Sequence, residues 1–445
     1  MPGYIKKWCG YLPKVLIVSA ILVMAEFLIV FLSALIPASS MTENVHTSYE
    51  LLQSEGNWIC LDVNDPTSEI DNFTDATLIQ IAYGNDPVNG NSDPLCRAMN
   101  NGYFYYHSQG YAAVEALGMA LDGRFAEMGE ESYARYWIGG VAVLRVLLCF
   151  LTYKQIRVVL GIVSLLLTLA VLTVILRKKE FALILPLAPA IVFINPAVLF
   201  NSMQLSVVYI ITLSFLVLYL HSVKKSDSSS PDNLRGNVVF FVMLGAVTSF
   251  LDFLTYPLVT LGLILLTYLW MHREDSFRDS FGKMIGFSAY WCFGYFGNWA
   301  AKWILGSLSL RRNLILEGLR KAKLRASLSS GTVEYGIPDV FVRNYKFLVQ
   351  PKLLISFAIA VVLIILACVF AKGKKKAFLP ASGGSIIVMA LITFLFPVVW
   401  YIVLSNHSWE HNWFTYRELC ITIYGVVLML ESVFGLSTKA RISDI

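Results

Sequence analysis

Val15 to Ile36 reads VLIVSAILVMAEFLIVFLSALI, an apolar run interrupted by one charge, Glu26. A helix rises about 1.5 Å per residue, so the run covers the roughly 30 Å hydrocarbon core of a bilayer. It is too long for the apolar core of a cleaved signal peptide. Lys6, Lys7 and Lys14 precede it. It therefore reads as an uncleaved anchor with its N-terminal side in the cytoplasm.

The pattern recurs along the chain. Of 445 residues 57% are hydrophobic and only 15% charged, with a mean hydropathy of +0.63; a soluble domain has roughly a quarter charged residues. Further apolar runs lie at 156–176, 181–194, 205–220, 238–251, 258–271, 281–305, 353–370, 385–404 and 419–436. None alternates with the period of two that a β-barrel strand needs. The expectation is an all-α polytopic membrane protein with about ten transmembrane helices and a long outer loop, 37–138, after the first. The chain divides into an N-terminal membrane module (1–306), a basic outer loop (307–350) and C-terminal membrane helices (351–445).

Lysine and arginine set the orientation. They cluster at Lys6/Lys7, Arg177–Lys179, Lys224/Lys225, Arg273/Arg278, Lys372–Lys376 and Lys439/Arg441, every one a cytoplasmic turn in a ten-span count. Both termini are then cytoplasmic, and the expected location is a bacterial plasma membrane. RRNLILEGLRKAKLR, Arg311 to Arg325, breaks the rule by falling outside. Moving it inside would expel KGKKK, a larger violation. The net charge of +5 sits at span ends, which argues for the lipid bilayer and against nucleic acid as a partner. The seven cysteines form no CxxC pair; Cys60 and Cys96 share the long loop and could pair outside the cytoplasm.

The count gathers the polar segments on one face: the long loop, DFLTYP (Asp252 to Pro257), the basic segment and NHSWEHNWFTYR (Asn406 to Arg417). His46, His107, His407 and His411 lie there too. Hydrocarbon cannot satisfy such groups, so they face protein or water. In EIDNFTDATL, Asp71 and Asp75 are four apart and share a helix face. A buried carboxylate beside an acceptor hydroxyl can serve as a general base; equally, Asp71 or Thr74 can cap the helix that follows. Tyr105, His107, Arg135 and Trp137 combine ring faces with polar edges, as a sugar site does and as a membrane-interface belt also does. Arg145, in the short apolar run 139–153, suits a phosphate clamp or snorkelling. Asp252 and Pro257 end the helical pattern between two spans; Asp252 and Tyr256 in that break, and Arg417 at the start of the last span, are candidate substrate-binding residues. His407 and His411 are at i, i+4, but HSWEH is not HExxH, so no metal site is assigned; the residues neither require nor rule out a divalent metal. No cofactor fingerprint is present. Asn72-Phe73-Thr74 and Asn406-His407-Ser408 are glycosylation sequons.

This arrangement resembles the GT-C superfamily of integral-membrane glycosyltransferases. An acidic first outer loop, short broken spans and outer loops rich in His, Trp, Tyr and Arg carry the resemblance. It implies a polyprenyl-phosphate-linked sugar as donor and a glycan, lipid or protein as acceptor. It also implies inverting transfer on the extracytoplasmic face, with Asp71 or Asp75 as base. The adjacent acidic pair of some members is missing, since Asn72 follows Asp71. The alternative is a transporter or flippase of a lipid-linked sugar, for which Glu26 is the mid-span candidate.

Overall fold

The computed structural model describes residues 8, 10–84, 93–106, 112–222, 231–331, 333–371 and 383–434. His107 and the lysines at 372–376 lie outside these residues.

The chain is an all-α membrane protein apart from two short ribbons. Among the described residues six helices are long and apolar enough to cross a membrane: Leu12–Ala34, Tyr153–Lys178, Met203–Ser222, Leu234–Leu251, Gly383–Val403 and Asn412–Val433. A seventh is added if the pair Ile337–Val349 and Pro351–Ala367, bent by 63°, counts as one. The expected runs at 181–194 and 258–271 are helices too short to qualify. The run at 281–305 lies inside a longer helix, Phe277–Leu310.

In chain order, α1 is Leu12–Ala34. The segment after it is folded, not an open loop: α2 (Thr42–Glu55), ribbon strands β1 (Trp58–Cys60) and β2 (Glu69–Asp71), α3 (Asn72–Tyr83), α4 (Pro94–Asn100), β3 (Gly102–Tyr106), α5 (Ala113–Leu121) and β4 (Met128–Ser132). β1 pairs with β2 and β3 with β4, both antiparallel. The short amphipathic α6 (Gly139–Leu148) leads to α7 (Tyr153–Lys178), α8 (Ile184–Ile194) and α9 (Met203–Ser222). α10 (Pro231–Leu251) and α11 (Leu258–Met271) flank DFLTYP. α12 (Phe277–Leu310) is followed by α13 (Leu314–Arg325) and α14 (Ile337–Tyr345) in the basic segment. Then come α15 (Pro351–Ala371), α16 (Gly383–Val403), the single turn and a half of α17 (Ser405–Glu410) and α18 (Cys420–Phe434).

Local rules place the ends. Asp71 caps α3, and Gly84 ends it in the left-handed conformation that glycine adopts without strain. Thr152 and Gln155 form a capping box at α7. The burial pattern is that of a bundle in lipid. α1 and α7 leave large apolar side chains outward, including Leu16, Ile17, Ile21, Val158, Ile162 and Leu165, whereas α9 and α11 are buried nearly all round. A helix hydrophobic on every side belongs at the centre. A separate apolar cluster of α2, α3, α5 and α6 supports the folded segment and includes Leu52, Ile79, Leu117 and Leu144.

α10 and α12 meet through glycine. A Cβ on Gly245 would come 2.1 Å from the Trp291 carbonyl oxygen, and one on Gly294 2.1 Å from that of Val242. Close approach through small residues is the usual means of packing helices where lipid supplies no hydrophobic drive. Gly245→Ala or Gly294→Ala should lower stability by about 1–3 kcal/mol, because the obstructing atoms are backbone. Gly297, with nothing near its would-be Cβ, should tolerate alanine. Unfolding temperatures of the three variants in detergent check this.

Candidate functional site

The four polar segments singled out in the sequence meet. Ile70 of β2 packs with Phe414 and Trp413. His407 bonds the Leu254 carbonyl of DFLTYP through Nε2 at 2.7 Å. His411 Nε2 accepts from Arg325 of α13 at 3.0 Å. Arg343 of α14 donates to Asn412 at 2.9 Å and stacks over Trp409. The polar run between the last apolar stretches is thus a seat on which the basic segment and the first folded segment both rest.

Asp75 is buried and accepts from four donors. The Tyr153 hydroxyl, Ser202 Oγ (3.2 Å) and Met203 N (2.9 Å) reach Oδ2, and Gln204 N (2.9 Å) reaches Oδ1. It therefore caps the N-terminus of α9, where backbone N–H groups lack helical partners. Asp71 is also buried, but among the described residues only Thr74 bonds its carboxyl, through N at 2.9 Å and Oγ1 at 2.7 Å. Burial pushes the Asp71 carboxyl up to about 7 against those bonds, helped by the charges of Asp75 and Glu69. Both sequence readings of Asp71 remain compatible with this geometry: it is a cap, and it is a carboxyl held near neutrality.

Beside them Arg157 of α7 forms a bidentate pair with Glu55 (2.8 and 2.8 Å) and bonds Asn72 Oδ1 at 2.7 Å. Asn72 closes the triangle by donating to Glu55 and to the Gly56 carbonyl, each at 2.9 Å. Tyr153 and Arg157 are i, i+4 on α7, as their partners Asp75 and Asn72 share the first turn of α3. A groove of about 440 Å³ opens next to this triangle. Its polar end carries Lys154, Arg157, Glu55 and Asn201, and Val158, Ile162, Leu165 and Phe200 make its apolar wall.

Other expected residues are committed elsewhere. Arg145 does not hold a free anion site and does not snorkel. It is buried, and its guanidinium bonds the Ile81 (3.2 Å) and Ala82 (3.1 Å) carbonyls and Ser33 Oγ (3.3 Å). It thus satisfies the C-terminal carbonyls of α3. Trp137 is buried, with its N–H on the Asn298 carbonyl at 2.9 Å. Tyr105 lies across Gly129 of the facing strand, where a Cβ would strike its ring. Asp252 accepts from Thr255 N and Oγ1 and pins the break, with its carboxyl pushed to about 7 by burial. Tyr256 donates to the Leu205 carbonyl at 2.6 Å.

Arg417 is fully buried and bonds the Ile194 (3.1 Å) and Trp413 (2.9 Å) carbonyls, but its Nη2 has no hydrogen-bond partner among the described residues. The half-buried Glu69 carboxyl is raised by burial and drawn back down by the Arg417 charge. Burial holds the His407 imidazole well below its usual range and that of His411 at about 3, with the Arg325 charge adding to both. Two neutral rings facing a guanidinium are a poor cation site, and no group of three or more metal-binding side chains forms among the described residues. Cys60 and Cys96 are free thiols, so the expected pair does not form. Both sequon asparagines are buried and hydrogen-bonded. The sequence reading passed over Glu69, Arg157 and Lys321 as site residues and took the arginines of the basic segment, Arg325 among them, only collectively as a phosphate contact. Glu69 had a signal, since it opens the same EIDNFTDATL.

Comparison with known proteins gives no match to a family model, a curated protein or a solved structure.

Asp75→Ala would strip four donors of their acceptor in a buried site. The expected loss is about 3 kcal/mol or more. Asp71→Asn keeps a good capping side chain and should cost under about 1 kcal/mol. Thermal unfolding of the two variants in detergent separates the fold-holding carboxylate from the one free to do chemistry.

Proposed function

We propose that the chain is a GT-C-type membrane glycosyltransferase that moves a sugar from a polyprenyl-phosphate donor to an acceptor on the extracytoplasmic face, with inversion. The observation that carries the reading is the groove at α7. Its apolar wall suits a lipid tail, its Lys154/Arg157 end suits a phosphate, and Arg157 bonds Asn72, the first residue of the helix that Asp71 caps and that carries Asp75. In this reading the membrane module has about ten crossings, the bent pair, the short helices at 181–194 and 258–271 and α12 included. The segment 37–138 and the basic segment then lie on the outer side.

Asp71 is the preferred base, because Asp75 is already engaged by four donors. Asp71 would take the proton of the acceptor hydroxyl as that oxygen attacks the anomeric carbon. The bond from that carbon to the phosphate oxygen breaks, and polyprenyl phosphate leaves with the electron pair. Lys154 would offset the growing phosphate charge, with the Nε of Arg157 and the Nη2 of Arg417, both without a partner among the described residues, as further donors. Glu69 is the second carboxylate to test.

The rival reading, transport of a lipid-linked sugar, is favoured by one feature. Glu26 of α1 is buried beside Asn298, and Lys302, one turn on, is buried with the Met99 carbonyl as its acceptor at 3.0 Å. An acid and a base inside the bundle are what a coupled carrier uses.

With a labelled polyprenyl-phosphate sugar, Asp71→Asn should keep binding and lose turnover by about 100-fold or more, the range for removing a general base. If Glu69→Gln abolishes turnover and Asp71→Asn does not, the base is reassigned. If neither changes turnover while Glu26→Gln stops movement of label across the bilayer, the transferase reading fails. A base works ionised, so turnover should rise about tenfold per pH unit below about 7 and level off above it. The stability effect has the opposite sign. The folded-state carboxyl sits above its ordinary 3.8, so its contribution is full below that value and is lost as pH climbs through about 7.

A further inference from the structure

A second polar cleft lies between the first folded segment and the basic helix. Arg135, Tyr136, Trp299, Trp303, Lys321 and Arg325 line it, with Gly318, Ala322, Leu254 and Leu404 between them. Three cations converge there and no acidic residue is among the lining. α13 is held close: Gly318 sits flush on the Trp303 ring, where a Cβ would come 2.5 Å from it. Trp303 in turn bonds the Arg135 carbonyl through its N–H at 2.9 Å. The Arg135 guanidinium stacks over Tyr133 and Tyr136 at 5.4 and 5.0 Å, and donates to the Ser132 carbonyl at 3.2 Å. The bond from Arg325 goes to a neutral imidazole, that of His411. The Nε atoms of both arginines are buried without a partner among the described residues.

Like charges this close oppose one another. Burial and then the charges of Arg325 and Arg135 hold the Lys321 amine below its usual range, and the distant pull of Glu131 only partly offsets them. The Glu131 carboxylate itself accepts from Tyr103 at 2.8 Å. Among the described residues no carboxylate lines the cleft, which leaves room for a ligand to supply negative charge. The cavity is about 40 Å³, room for about three waters. That is the size of one tetrahedral oxyanion and too small for a sugar ring, which would have to lie outward over the tryptophans.

We infer that this cleft binds a phosphate group carried by the second substrate, so that the acceptor is itself an anionic molecule. The inference rests on the transferase reading for the word acceptor. The α7 groove has its own cations, and the two sites share no lining residue, so the donor's phosphate and this one are different groups.

The test is titration calorimetry of the full chain in phosphatidylcholine nanodiscs with inorganic pyrophosphate at fixed ionic strength. Saturable binding is expected. Arg325→Gln and Lys321→Gln should each weaken it about tenfold or more, as loss of a charge-assisted bond does. Lys323→Gln removes the same charge from an exposed position on the same helix and should leave affinity unchanged. Arg325→Lys, which keeps the charge, should fall between, and it stands in if the glutamine variant does not fold. Repeating the titration in phosphatidylglycerol discs identifies the source. Competition means that the phosphate comes from a lipid headgroup, and its absence means a water-borne phosphate; either outcome keeps the site. Absence of saturation, or equal affinities in Arg325→Gln, Lys321→Gln and the parent, overturns it. Pyrophosphate binding involves no turnover, so the cleft and the transferase reading stand or fall separately.

Discussion

The carboxylate of Asp75 ties the soluble-facing part of the chain to the membrane part. It sits on the first turn of α3 and takes a hydroxyl from the first residue of α7 and two backbone N–H groups from the start of α9. A helix N-terminus carries a partial positive charge, so a buried carboxylate there is stabilised by it. The next contact up α7, Arg157 to Asn72 and Glu55, repeats the grip one turn on. With both ends of α3 fixed, by Asp75 at one and by Arg145 on its last carbonyls at the other, the carboxyl of Asp71 has a defined position relative to the groove. The position of that carboxyl against the groove depends on α3 not moving.

Membrane burial explains why charged side chains carry so much of the structure. Where lipid surrounds the bundle, apolar packing alone gives helices little preference for one another over acyl chains. Specific geometry then comes from close backbone contact, as at Gly245 and Gly294, and from polar groups that must find partners. The polar end of the bundle applies the second device throughout: His407 on Leu254, Arg343 on Asn412, Lys352 on Asp65 and Thr67. Pairing is incomplete in places, among them the Nη2 of Arg417 and the Nε atoms of Arg135 and Arg325, which have no partner among the described residues. Unpaired buried donors are rare because they are costly, and a binding site is one reason for a fold to keep them.

Much of this is legible in the sequence, but unevenly. The apolar runs are helices, and the four polar segments chosen for their composition do meet. The residues named within them fared differently. Arg145 looked like a phosphate clamp because an arginine in an apolar stretch has few legitimate partners; the partners were carbonyls of another helix. Trp137 and Tyr105 matched a sugar-binding composition, yet one packs against α12 and the other covers a glycine. Arg157 drew no attention, since a cation at the start of a span has a routine explanation as a headgroup contact. Lys321 and Arg325 were hidden in a run of basic residues where composition alone does not tell a solvated lysine from one turned inward.

The amino-acid sequence by itself determined that this chain lives in a bilayer, because the length of an apolar run is a one-dimensional quantity and the hydrocarbon thickness that it must match is fixed. It also determined where the helices break, since Asp252, Pro257 and Gly84 act on their own neighbours. Tertiary structure alone decided which carboxylate holds the fold and which is left with only a local cap. Asp75 meets residues 78 and 129 positions away, while Asp71 meets one 3 positions away. Two aspartates four apart look alike to any local rule; their difference lies in donors that only packing brings within hydrogen-bond range.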